Sequence, residues 1–107
     1  MVRKGIGRLA NKKFPNYKDN EKTLKQLQNR ILKTVNYLKK IKPNDLKDSA
    51  TVEIEFNIRE KKFYFSNGED YLKRWILPHF FFHITTTYNI LRMNGVNLGK
   101  WDYTGKF

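Results

Sequence analysis

Two stretches of helical periodicity flank a short stretch that alternates. In "NEKTLKQLQNRILKTVNYLKKI", residues 20–41, Leu24, Leu27, Ile31, Val35 and Leu38 recur at helical spacing. They form one apolar stripe on an α-helix, and Lys22, Lys25, Arg30, Lys33 and Lys40 lie away from it. Asp19 stands where an N-cap carboxylate can accept the free amide hydrogens of the first turn. Pro43 ends the helix, because it has no N–H to continue the ladder.

The period then changes. Val52, Ile54 and Phe56 alternate in "TVEIEF", and Phe63 and Phe65 do so in "KKFYFS". Alternation of this kind predicts a β-hairpin over about 51–65, with a loop longer than the tight two-residue kind. "SNGEDYLKRW" opens the second long helix. Ser66 or Asn67 caps it, and Glu69 and Asp70 sit in the positive first turn. It runs to Met93, where Asn94-Gly95 stops it. Pro78 lies inside this helix and predicts a kink, with the Arg74 carbonyl deprived of its usual donor. Residues 1–13 read as the end of a helix carrying Ile6, Leu9 and Ala10, although Gly5 and Gly7 weigh against helix there. The tail "VNLGKWDYTGKF" reads as an ordered turn bearing Trp101 and Tyr103. The predicted fold is mainly α, of a truncated four-helix-bundle type: two long helices, an N-terminal helical stub, and a short β-hairpin between the long helices.

At 107 residues the chain has room for one domain. Cysteine is absent, which excludes disulfides, thiolate metal sites and a cysteine nucleophile. No apolar run reaches the roughly 18 residues of a membrane span, and "MVRKGIGRLANKK" has no apolar signal core; a cytoplasmic protein without membrane contact is expected. The net charge of +12 raises nucleic-acid binding, through Lys22, Lys25, Lys33 and Lys40. However, the basic residues spread from position 3 to position 106 rather than clustering, and lysine dominates them. A solvated basic surface is the preferred reading.

The chain's two histidines both fall in "LPHFFFHITT". His79 and His83 are four apart and so share a helix face. Two imidazoles in that arrangement suit zinc, nickel or iron, with Glu69, Asp70 or Asp102 as a third donor. Stepping about 100° per residue puts both with Leu72, Ile76, Thr86, Thr87 and Ile90, on the face expected to meet the core. A histidine there needs a hydrogen-bond partner, and Thr86 or Thr87 could serve, or could bond back to their own helix. Two satisfied core histidines are favoured over a metal site, so no cofactor is expected, with a divalent zinc or nickel ion as the alternative. Tyr88, Trp101 and Tyr103 can line a pocket or simply pack. No glycine-rich phosphate loop and no nucleophile elbow is present.

The segment "NGEDYLKRWILPHFFFHITTTYNILRMNGVNLGKWDY" carries G-E-D-Y-L at 68–72, an L-P-x-F-x-F-H-x-T-T-x-Y-x-I-L-R pattern at 77–92, and N-G-V-x-L-G-K-x-D-Y at 94–103. In these it resembles domain-of-unknown-function family 1993, and "FPNYKDNEKTLKQLQNRILKTVNYL" is similar to that family's third helix. The resemblance implies a four-helix bundle related to the DinB and YfiT-like proteins, some of which hold a divalent metal with a histidine triad. His83 matches the family's recurring histidine. At position 79 members commonly carry asparagine, and Met93 stands where histidine is frequent, which speaks against a metal here. Members also carry a first helix and most of a second ahead of the segment matched by this chain. Two long helices cannot enclose both apolar stripes by themselves, so a homodimer is expected, its second helices packing near Phe80, His83 and Thr87. The functional expectation is a self-associating helical-bundle protein of unknown biochemical role, leaning non-enzymatic. The alternatives are a DinB-like metal-dependent thiol transferase or hydrolase, and a basic nucleic-acid binder.

Overall fold

The computed structural model describes residues 1–105; the last two residues of the tail discussed above lie outside the described residues. In chain order the elements are α1 (Val2–Leu9), α2 (Leu24–Leu38), a 3₁₀ turn (Pro43–Leu46), β1 (Ile54–Ile58), β2 (Lys61–Phe65), α3 (Gly68–Tyr71), a π-helical turn (Leu72–Ile76), α4 (Leu77–Met93) and α5 (Lys100–Thr104). The architecture is mainly helical with one antiparallel hairpin between the long helices, as the periodicities predict.

The alternating residues build the core. Ile54 pairs with Phe65 and Phe56 with Phe63 across the hairpin, so all four project to one face. Ile54 and Phe65 are buried there, packed with Leu9 of α1, Tyr71 of α3 and Ile76 of the π turn. Phe56 and Phe63 stack at 5.5 Å between ring centroids, and Trp75 closes on Phe63 at 4.7 Å. Tyr71, with no exposed surface, sits at the centre of this aromatic group. The core therefore lies at the junction of α1, the hairpin and the start of the second long helix.

Several local expectations are corrected. The first long helix starts at Leu24, not Asn20. Its cap is Thr23, whose Oγ1 accepts the Gln26 N–H at 3.2 Å while Gln26 Oε1 accepts the Thr23 N–H at 3.1 Å. This reciprocal box satisfies two orphan donors at once, which a lone Asp19 cannot match. Asp19 instead pairs with Arg30 at 2.6 Å. The hairpin loop is not long: Ile58 faces Lys61, leaving Arg59 and Glu60 as a two-residue turn. Arg59 takes φ 54° to make it, a left-handed conformation that a non-glycine residue adopts at a cost. Asn67, one of the two predicted caps, does cap α3 through its side chain at 2.8 Å. The tail is not merely a turn, since Lys100–Thr104 is helical.

Pro78 acts differently from a simple kink. The helix widens into the π turn just before it, so that the Leu77 N–H reaches back to the Leu72 carbonyl. Proline then falls in the first turn of α4, where its missing N–H costs least. The widened turn also presents the Trp75 carbonyl to Nδ1 of His79, at 2.7 Å. A side chain thus supplies a donor beside the one that proline removes.

Away from the junction the chain is open. α2 docks on α1, where Gly7 lies so close to Phe14 and the Tyr37 hydroxyl that a Cβ would stand 2.7 Å from each. No residue of α2 or α4 is buried. On α2 Leu24 is 80 % and Ile31 60 % exposed; on α4 Phe82 is 64 % and Met93 81 % exposed. The radius of gyration is 15.9 Å, against about 13 Å for a compact domain of this size.

Candidate functional site in the groove of the second long helix

Along α4 runs an apolar groove of about 550 Å³, bounded by Phe80, His83, Ile84, Thr87, Tyr88 and Leu91 from the helix and by Leu98, Asp102 and Tyr103 from the tail. The tail is folded back by its own short helix. Asp102 Oδ2 accepts the Gly99 N–H at 2.7 Å, closing the first turn of α5. Tyr103 then meets α4 twice: its hydroxyl shares a hydrogen bond with Thr85 Oγ1 at 2.8 Å, and its ring stands edge-on to Tyr88 at 5.6 Å. Tyr88 OH in turn accepts from Arg92 at 2.9 Å.

The two histidines part company. His83 lines this groove and is exposed, so it does not sit on a buried face. His79 is half-buried and lines a different cavity, its ring 4.3 Å from Trp75. Because a carbonyl can only accept, the bond to Trp75 fixes the proton on His79 Nδ1 and leaves Nε2 open. The core-face assignment fails because the aromatic core ends at Ile76, before either histidine. The threonines do not serve the imidazoles either: Thr87 Oγ1 donates to the His83 backbone carbonyl at 2.8 Å, and Thr86 is exposed outside the groove. Tyr88 lines the groove as anticipated, whereas Trp101 is exposed on α5 and is not part of the wall. Thr85, Leu98 and the capping role of Asp102 went unread. An acid three residues after Gly99 was the available signal for a helix start.

As a metal centre the donor set is short. His83 and Asp102 share the groove, but Glu69 is paired with Lys73 and Asp70 with Arg74, well up the rod. Among the described residues no group of three or more His, Cys, Asp or Glu side chains converges. A protein-held zinc site takes three or four such ligands, and His83 with Asp102 gives one chain only two in this groove. The four lysines considered for nucleic acid are exposed, but only Lys25 and Lys33 lie within α2; Lys22 precedes it and Lys40 follows it. No helix among the described residues is long and apolar enough to cross a membrane.

These features define a DinB-like helical bundle with a hairpin inserted between its long helices. The chain belongs to the family described as a domain of unknown function, DUF1993, which matches over residues 1–104. Among solved structures it is similar to a DinB family member protein from Shewanella denitrificans, at 36 % identity and a TM-score of 0.87. The match covers 98 % of this chain and 59 % of that one, so this chain spans less than two thirds of its neighbour's length. No curated protein matches it.

Proposed function

We propose that this chain is a non-enzymatic helical-bundle protein whose open apolar faces close on a second copy of itself. The observation that carries the reading is surface. The accessible area is 8979 Å² for a 12.9 kDa chain, where a folded monomer of that mass exposes roughly 6,300 Å². The excess of roughly 2,700 Å² per chain, roughly 5,400 Å² for two chains, reaches the upper end of what obligate homodimers bury between both partners. The α4 groove is the natural seam, since Phe80, Ile84 and Leu91 line it and few charges interrupt it.

Sedimentation equilibrium over a range of concentrations tests this. The expected result is a dimer that Phe80→Glu or Ile84→Glu converts to single chains. A monomer at every concentration would remove the reading.

A second reading, a DinB-like metal-dependent enzyme, rests on His83 and Asp102 sharing the groove. One chain offers two donors; a second copy's pair would bring the count to four. Added zinc or nickel should then raise the melting temperature of the dimer, and His83→Ala should abolish the rise. No shift with either metal would remove this second reading.

A further inference from the structure

A second cavity, of about 470 Å³, opens between α1, the tip of the hairpin and the π turn, and its character is opposite to that of the groove. Lys4 and Arg8 from α1, Asn57 and Arg59 from the hairpin, and Trp75 and His79 from the second long helix line it, and no carboxylate does. Lys4, Arg8 and Arg59 form no ion pair among the described residues, as holds for most of the chain's basic residues, and no carboxylate in the cavity wall offsets them. The contrast with the hollow beside α2 is instructive. There Arg30 is already neutralised by Asp19 and Glu21, at 2.6 and 2.7 Å.

Of the three cationic groups, Arg8 is held in place, and Lys4 and Arg59 are exposed at the rim. Arg8 is anchored by one N–H to the Tyr71 hydroxyl at 3.2 Å and by its face over Phe56 at 3.7 Å, which leaves four of a guanidinium's five N–H donors uncommitted. Arg59 sits at the turn position with φ 54°, where glycine would be unstrained. His79 has its Nδ1 fixed by Trp75, so only Nε2 can meet a ligand. Trp75, packed between Phe63 and His79, gives one wall an aromatic surface.

We propose that this cavity binds a small phosphorylated molecule. Three cations around one hollow repel one another unless an anion joins them, and a group carrying two or more negative charges matches them better than a single carboxylate. Guanidinium forks fit phosphate oxygens in pairs. The volume lies in the range of small-molecule sites and exceeds what one phosphate fills. A pyrophosphate or a phosphate ester with a planar organic part, lying along Trp75, uses the whole cavity. The proposal is independent of self-association through the α4 groove.

Inorganic pyrophosphate is the probe, followed by calorimetry and by Trp75 fluorescence in a Trp101→Phe background. Saturable binding of one molecule per chain is expected. Arg59→Gly removes a cation and relieves the positive φ, so the fold should be as stable or more stable while affinity falls about tenfold or more. Lys33→Gln removes the same charge from exposed α2 and should change affinity less than about twofold. No saturable binding by about 1 mM, a weak affinity that no longer discriminates, overturns the proposal. Equal losses in Arg59→Gly and Lys33→Gln would show general surface charge and overturn it too, as would tighter binding of a DNA oligonucleotide than of pyrophosphate.

Discussion

The carbonyl of Ser49 presses against Gly68 so closely that a Cβ built on the glycine would stand 1.8 Å from its oxygen. The next carbonyl, that of Ala50, accepts the Glu69 N–H at 3.3 Å, so the segment before the hairpin is sewn to the start of α3. Because the obstruction is backbone and not a flexible side chain, Gly68→Ala must displace the segment or the helix. The expected cost is about 1–3 kcal/mol or more, read as a lower urea midpoint. A variant as stable as the parent would show that the segment yields freely.

Tyr71 and Arg8 join the core to α1. Tyr71 is fully buried, and burial raises its phenol above the ordinary value, opposed by the Arg8 guanidinium. Tyr71→Phe keeps the ring contacts with Phe56 and Phe65 and loses only the 3.2 Å bond. It should cost about 0.5–1.5 kcal/mol. Tyr71→Ala empties the centre of the aromatic group and should cost about 3–5 kcal/mol. Denaturant titration of the two variants separates the bond from the packing.

Asp45 gives the stability a pH dependence. Its carboxylate accepts the Lys42 N–H at 2.9 Å and pairs with Lys12 at 2.9 Å, tying the 3₁₀ turn to the segment after α1. The backbone hydrogen bond first, and Lys12 second, lower its pKa in the folded chain. A lowered folded value means that the unfolded chain takes up the proton first as pH falls. The contribution is therefore complete above the ordinary carboxylate value of about 3.9 and is lost as pH drops through the lower folded value. Asp45→Asn should be less stable than the parent by the same margin at pH 7 and pH 5, with the margin shrinking towards pH 3. Urea midpoints at the three pH values check it; a margin that persists undiminished at pH 3 would assign the loss to something other than charge.

The legible part of this fold was the part written in period. Leu24 to Leu38 at helical spacing, and Ile54, Phe56, Phe63 and Phe65 in alternation, lie in the elements they announced. What escaped the sequence depends on partners distant along the chain or on strain. Thr23 and Gln26 spell a capping box, but the nearby Asp19 offered a cap as well, and only the structure shows that Arg30 claims it. Nothing in Arg59-Glu60 signals a tight turn, because the turn is made with a residue that resists it. The histidine face was misjudged because helical arithmetic fixes which residues share a side, not how far the core extends along it. His79 found its partner in the carbonyl of Trp75, exposed by a π turn that no spacing rule foretells.

The exposed rows distinguish monomer from assembly by substitution. Ile31 on α2 and Leu91 in the α4 groove are 60 % and 42 % exposed in the single chain, so in an isolated monomer Ile31→Ser and Leu91→Ser should change stability by no more than about 1 kcal/mol. If these rows are covered by another copy, the same changes should cost more, and the loss should grow on dilution. Melting temperatures at two protein concentrations about a hundredfold apart, each concentration unit counting by mass action, make the comparison.

The solution mass of the unmodified chain bears most directly on the central claim that the two long helices need an outside cover. Light scattering should return about twice the 12.9 kDa of one chain. A value of one chain's mass, held at every concentration by a folded protein, would contradict it.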